Sequence, residues 1–244
     1  MSPHADVPST DMPAVVLEGI SRRVGSGDGR RDILADINLS FPRGSFISVI
    51  GPSGSGKTTL MGIIAGLDRP TSGRVQVLGT ELGLLDEDQL AAFRGSSIGF
   101  VFQDFHLIPT LTALENVQVP LELNGRMRDA RQRALESLDG VGLVNVQKSY
   151  PAQMSGGEKQ RVAIARALTL DPDLILADEP TGNLDRKNSD GIMEILRQIH
   201  RDANRTIVLV THDMTRTTGS DRVLVMDDGR ISPLEVPIDT EIEG

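Results

Sequence analysis

The chain has no cysteine and no tryptophan in 244 residues, and aromatic residues make up only 3% of it. Without cysteine there are no disulfides, no thiolate metal sites and no cysteine nucleophile, a pattern compatible with the cytosol. No run of about 18 apolar residues occurs, so no segment is expected to span a bilayer as a helix, and any membrane role must come through a partner. An excess of basic charge is also lacking. With 25 Lys and Arg against 34 Asp and Glu, the formal charge is -9, which argues against nucleic acid or anionic lipid as the main partner. Residues 1–14 carry Pro3, Pro8 and Pro13 among small polar residues, with neither a basic start nor an apolar stretch. A disordered lead-in is expected there instead of a secretory signal, and a tail is expected at 233–244.

Glycine is what the chain has in quantity: 25 residues, which suits turn-rich, phosphate-handling architecture. The length allows one large α/β domain with a substantial core. Apolar runs at 15–20, 33–41 and 46–50 are expected strands, and 57–67 a helix. Further strands are expected at 74–78, 98–102, 174–177, 206–210 and 222–226. Helical patterns occupy 86–94, 112–141 with a break at Asn124 and Gly125, the stretch after Ser155, and 189–202. The alternation implies a mostly parallel sheet covered on both faces, with a helical subdomain inserted at about 104–170. No internal repeat is present, so a single nucleotide domain is expected over 15–232.

Gly51, Pro52, Ser53, Gly54, Ser55, Gly56, Lys57 and Thr58 fit the G-x-x-x-x-G-K-[ST] phosphate loop, directly after an apolar strand. Backbone N–H groups of Ser53 to Gly56 would wrap phosphates, with Thr59 next in line. Lys57 would reach the β- and γ-phosphates, and Thr58 would bind Mg²⁺. A second phosphate-type site stands at Ser155, Gly156, Gly157 and Glu158, where a hydroxyl and two glycines open a helix whose N–H groups and dipole favour an anion. One nucleotide hardly needs both. Two chains facing each other, each closing the other's ATP, is the economical arrangement.

Asp178 and Glu179 end an apolar strand, and adjacent carboxylates beside phosphates would repel unless a cation or a proton-transfer task accounts for them. Asp178 is therefore assigned to the Mg²⁺ shell and Glu179 to the attacking water. His212 follows another strand, where an imidazole N–H could hold the γ-phosphate. Gln103, at the tip of 98–102, offers an amide to Mg²⁺ or water.

In this order and spacing, Gly51 to Thr58, Gln103, Met154 to Glu158, Leu174 to Glu179, Asn183 to Asp185 and His212 resemble the nucleotide-binding subunit of ATP-binding cassette (ABC) transporters, over residues 15–231. The resemblance implies a P-loop NTPase fold with a mostly parallel core sheet, an antiparallel N-terminal β portion and an inserted helical subdomain. It implies a head-to-tail dimer, most simply a homodimer, with ATP between the phosphate loop of one subunit and the Ser155 segment of the other. Asp185 would act across that interface, and Gln103 would link the site to integral membrane permease subunits at the cytoplasmic face of the membrane. The segments 178–185 and 102–116 are most similar to the macrolide-export and lipoprotein-release branch, which implies ATP-driven export, extraction or mechanical coupling. The alternative is an ATP-gated clamp that signals across the membrane and moves no substrate. Two positions depart from the family. Where an aromatic residue usually stacks on adenine, Arg22, Arg23 and Val24 stand, so Val24 is expected to pack there. Glu158 replaces the commoner Gln, which this branch tolerates.

Overall fold

The computed structural model describes residues 12–25 and 29–234. The expectations for most of the lead-in (1–11) and for the tail beyond 234 lie outside the described residues, as do residues 26–28. The elements run β1 (Val15–Val24), β2 (Arg31–Phe41), β3 (Phe46–Ile50), α1 (Lys57–Ile64), β4 (Ser72–Val77), β5 (Thr80–Glu81), α2 (Glu87–Ser97), β6 (Ile98–Phe102), α3 (Ala113–Leu123), α4 (Ala130–Gly140), α5 (Gly156–Leu168), β7 (Leu174–Asp178), α6 (Arg186–Ala203), β8 (Thr206–Thr211), β9 (Arg222–Asp227) and β10 (Arg230–Pro233).

They form two sheets. The larger has the order β10-β9-β3-β8-β7-β6, and the smaller the order β2-β1-β4-β5. Within the larger, β9, β3, β8, β7 and β6 are parallel and β10 alone is antiparallel. The smaller sheet is antiparallel throughout. Strands covered on both faces must be apolar on both, so β3, β7 and β8 are near-continuous runs of Val, Ile, Leu and Ala. Their side chains alternate between two cores. Val49, Leu176 and Val208 pack with Leu60 and Ile64 of α1 and with Leu17, Ile20 and Phe41 of the smaller sheet. Ile175, Ala177, Ile207 and Leu209 pack beneath Val162, Ala165, Ile192 and Leu196 of the helical layer. Truncating one fully buried leucine, Leu176→Ala for instance, should cost about 2–5 kcal/mol.

Parallel pairing carries one consequence for function. The C-terminal ends of β3, β8, β7 and β6 line up along one edge of the sheet, where Ile50 pairs with Thr211, Asp178 with Val210 and Phe102 with Asp178. The residues just past those ends are therefore neighbours in space, although they are far apart in sequence.

Several expected boundaries shift. Helix α1 stops at Ile64 and not near 67, because the chain turns back and Leu67 N–H donates to the Gly62 carbonyl at 2.8 Å. β2 begins at Arg31, two residues early, where it pairs with Val24. Helix α6 begins at Arg186, because the Asp185 carboxylate caps it by accepting the Asn188 N–H at 2.9 Å. The long helical stretch divides into α3 and α4 across the expected break, and α3 runs through Pro120. β10 was not expected; it forms a hairpin with β9 across Asp228 and Gly229.

Candidate nucleotide site

The loop from Gly51 to Gly56 joins β3 to α1 and must squeeze against β2. At Gly56 the backbone has φ 108°, and a Cβ there would lie 2.8 Å from the Ile33 carbonyl oxygen, so only glycine fits. Lys57 is buried, and its Nζ donates to the Gly51 and Pro52 carbonyls, each at 2.8 Å. The ammonium is thus held under the loop with donor capacity to spare.

Across the sheet edge, Thr58 Oγ1 donates to Asp178 Oδ2 at 3.2 Å. Burial pushes the Asp178 carboxyl above its ordinary range. The Thr58 hydrogen bond opposes that shift, repulsion from Glu179 adds to it, and attraction to Lys57 opposes it again. Glu179 adopts φ 47°, a conformation uncommon for a residue with a side chain. Its N–H donates to the Val210 carbonyl at 2.9 Å, and its carbonyl accepts the Gly182 N–H at 3.0 Å. Thr211 Oγ1 donates to Oε2 at 3.3 Å, and His212 Nδ1 lies 2.9 Å from Oε1. Gln103 Nε2 donates to Asn183 Oδ1 at 3.2 Å, and Asn183 Nδ2 returns a bond to the Gln103 carbonyl at 3.2 Å. Ser53, Lys57, Thr58, Gln103, Asp178, Glu179 and His212 all line one cavity of about 590 Å³.

Gly54, Gly56 and Thr59 line that cavity too, whereas Val24, Ser155 to Glu158 and Asp185 lie elsewhere. Val24 is exposed at the end of β1, and the cavity wall on β2 comes from its pairing partner Arg31 and from Ile33, which the sequence did not single out. None of Ser155, Gly156, Gly157 or Glu158 lines the cavity. Ser155 caps α5: its Oγ accepts the Glu158 N–H at 3.3 Å, and the Glu158 carboxylate accepts the Ser155 N–H at 2.8 Å. Glu158 is therefore the partner in a capping box, a role with its own sequence signal, S-x-x-E, and these bonds hold its carboxyl below the usual range. A Cβ on Gly157 would run into the Asn188 side chain, so α5 and α6 meet closely at their first turns. Asp185 caps that same end of α6.

The cavity residues fit a nucleoside triphosphate with Mg²⁺. Beside Gly54 the loop faces open space, and Ser55 Oγ is buried without a partner. Thr58 and Asp178 present hard oxygens to one point. Among the described residues no group of three or more His, Asp or Glu could hold a metal alone, so a cation here needs oxygens from the phosphates as well.

Residues 34–182, more than half the chain, match the family model described as ABC transporter. The chain belongs to the ABC transporter family. It is 49% identical over 213 residues to the lipoprotein-releasing system ATP-binding protein LolD of Geobacter metallireducens, covering 87% of this chain and 95% of that one. It is 48% identical over 216 residues to the macrolide export ATP-binding/permease protein MacB of Pectobacterium atrosepticum; the match covers 88% of this chain but spans only 33% of that relative. Its fold matches a dimeric post-hydrolysis structure of the ATP-binding cassette MJ0796 bound to ADP and Pi, with TM-score 0.82 and 41% identity over 91% of this chain and 99% of that one. As an ABC transporter cassette, the chain is an ATPase with the expected α/β architecture.

Proposed function

We propose that two copies of this cassette close head to tail on two ATP molecules and so drive a separate membrane permease of the lipoprotein-release and macrolide-export type. One observation carries the reading. The capped turn at Ser155 has the build of an anion site, yet it lines no part of the cavity that gathers Lys57, Asp178 and Glu179. A second chain gives it a nucleotide to close on. MJ0796, at 41% identity, is a dimer with ADP and Pi bound, and LolD and MacB are named for lipoprotein release and macrolide export.

In this reading the loop N–H groups and Lys57 hold the β- and γ-phosphates, and Thr58, Asp178 and Gln103 hold Mg²⁺. When bound, the Mg²⁺ neutralises charge on the phosphate oxygens. Glu179 orients the attacking water and takes its proton; Thr211 and His212 fix its carboxylate from two sides. With Nδ1 of His212 donating to Glu179, the other ring nitrogen donates to the γ-phosphate only in the imidazolium form. Val24 packs on the adenine, and Asp185 acts across the interface.

The helical segment at 104–170 serves as a subdomain that meets the permease. Beside Gln103, Phe100, Phe102, Pro120, Leu123 and Pro172 line an apolar groove of about 320 Å³, in which Leu123 is 82% exposed. This groove suits an apolar segment of the permease. No helix among the described residues is long and apolar enough to cross a membrane; in this reading the permease holds the cassette at the cytoplasmic face.

The test is to purify tagged Glu179→Gln with ATP from detergent-solubilised membranes of its host. A co-purifying permease with few spans and a large external domain supports export or mechanical coupling. Recovery of a membrane-bound cell-wall regulator points to signalling, and recovery of the cassette alone counts against the partner.

A further inference from the structure

Two side chains of α5 grip the backbone on either side of Gln103. Gln160 is fully buried and donates from Nε2 to the Phe102 carbonyl at 3.1 Å. Its Oε1 is buried and has no partner, so the amide is kept at some cost for the one bond it makes. Six residues further along the helix, Arg166 spreads its planar fork over the far side of the loop. Nη2 donates to the Phe105 carbonyl at 2.9 Å, and Nη1 to the His106 carbonyl. Burial lowers the Arg166 pKa, as expected for a cation that has given up water for carbonyl oxygens.

Phe105 and His106 need such support. Their φ angles are 38° and 48°, two successive residues with side chains in the left-handed region, which persists only where the surroundings fix it. The His106 ring also meets the Phe102 ring edge-on at 4.9 Å. The segment carrying Gln103 is thus fastened to α5 before and after that residue, and α5 is the helix that starts at the Ser155 cap. Ser155 and Arg166 stand about 16 Å apart on one rigid helix.

We propose that Gln160 and Arg166 are positioning residues that bind the Gln103 loop to the helix bearing the Ser155 turn. A chain's own Gln103 then takes its place at the cavity according to how that chain's Ser155 turn sits on the partner's nucleotide. The two ATP sites of the dimer are coupled through one helix and three hydrogen bonds. This rests on the dimer and on the Gln103 role proposed above.

The experiment compares the full chain with Gln103→Ala, Arg166→Ala, Arg166→Lys and the Gln103→Ala/Arg166→Ala pair, measuring kcat, KM and hydrogen exchange at 103–107. Arg166→Ala should lower kcat roughly 10-fold, shift KM less than about 2-fold and speed exchange at 103–107. Arg166→Lys should not rescue it, because one ammonium cannot reproduce a fork over two carbonyls. In the Gln103→Ala background, Arg166→Ala should cost nothing more, since both act through one group. If Arg166→Ala does not fold, Gln160→Met removes the Phe102 bond at nearly constant volume and should show the same non-additivity. Losses that multiply in the double variant, or unchanged exchange at 103–107, overturn the proposal while leaving the Gln103 role standing. Full turnover by Gln103→Ala removes the Gln103 role itself, and the proposal with it.

Discussion

Nδ1 of His212 stands 2.9 Å from Oε1 of Glu179, while the Thr211 hydroxyl holds the other carboxylate oxygen at 3.3 Å. The carboxylate is aimed from both sides before any water arrives. Glu179→Gln should therefore lose about 10²–10⁴-fold in turnover and keep ATP affinity within a few-fold, the range for removing a general base. His212→Ala leaves Thr211 as the remaining support and should lose roughly 10²-fold by the same standard. Phosphate-release assays and nucleotide titration check both; undiminished hydrolysis in Glu179→Gln would remove the general-base role.

The ionised form of Asp178 is expected to destabilise the nucleotide-free protein. Burial raises its folded-state pKa above the unfolded value, so the folded protein holds that proton more tightly. The group's stability contribution is present at low pH and is lost as pH rises through the folded-state pKa. Asp178→Asn keeps an acceptor for Thr58 without the charge, so it should raise Tm at pH 7 and raise it less under acid conditions. Turnover should fall with it. Calorimetry at two pH values without Mg²⁺, beside an ATPase assay, checks the pair of effects; a lower Tm at pH 7 would contradict the burial argument.

Ser155 carries two roles that a pair of variants can separate. Ser155→Ala loses the cap, worth about 1 kcal/mol, and should lower Tm by roughly 2–4 °C. Ser155→Asn restores a capping side chain and should recover most of that Tm. Neither restores the small hydroxyl at the proposed phosphate contact, so both should weaken ATP-dependent dimerisation. Dimerisation that follows Tm alone would reduce Ser155 to a cap.

Val24 is exposed at the place the resemblance assigns to an adenine-stacking aromatic. Val24→Tyr should tighten ATP binding about 5-fold, the effect of a stacking contact near 1 kcal/mol. An affinity unchanged by the substitution would show that the base lies elsewhere, against Arg31 for example.

Most of the cavity was legible in the sequence for one physical reason. Gly51 to Thr58, Gln103, Asp178, Glu179 and His212 each follow a short apolar run, and parallel strands bring such positions to a common edge. What could not be seen depends on distance in three dimensions or on backbone conformation. Arg31 and Ile33 reach the cavity because β2 folds over the phosphate loop, and no local pattern in 31–33 marks that. The left-handed turn at Glu179 has no glycine to announce it. Arg166 looks like an ordinary helix arginine until Phe105 and His106 are placed beneath it. Glu158 is different: its capping-box spacing from Ser155, S-x-x-E, is legible in the sequence alone.

The central claim is that ATP joins two chains. Light scattering of purified Glu179→Gln with and without ATP and Mg²⁺ tests it most directly. The account predicts the mass of one chain without nucleotide and of two chains with it, with the doubling weakened by Ser155→Ala. A variant that binds ATP, verified by titration in the same sample, and still scatters as a single chain at micromolar concentration would contradict it.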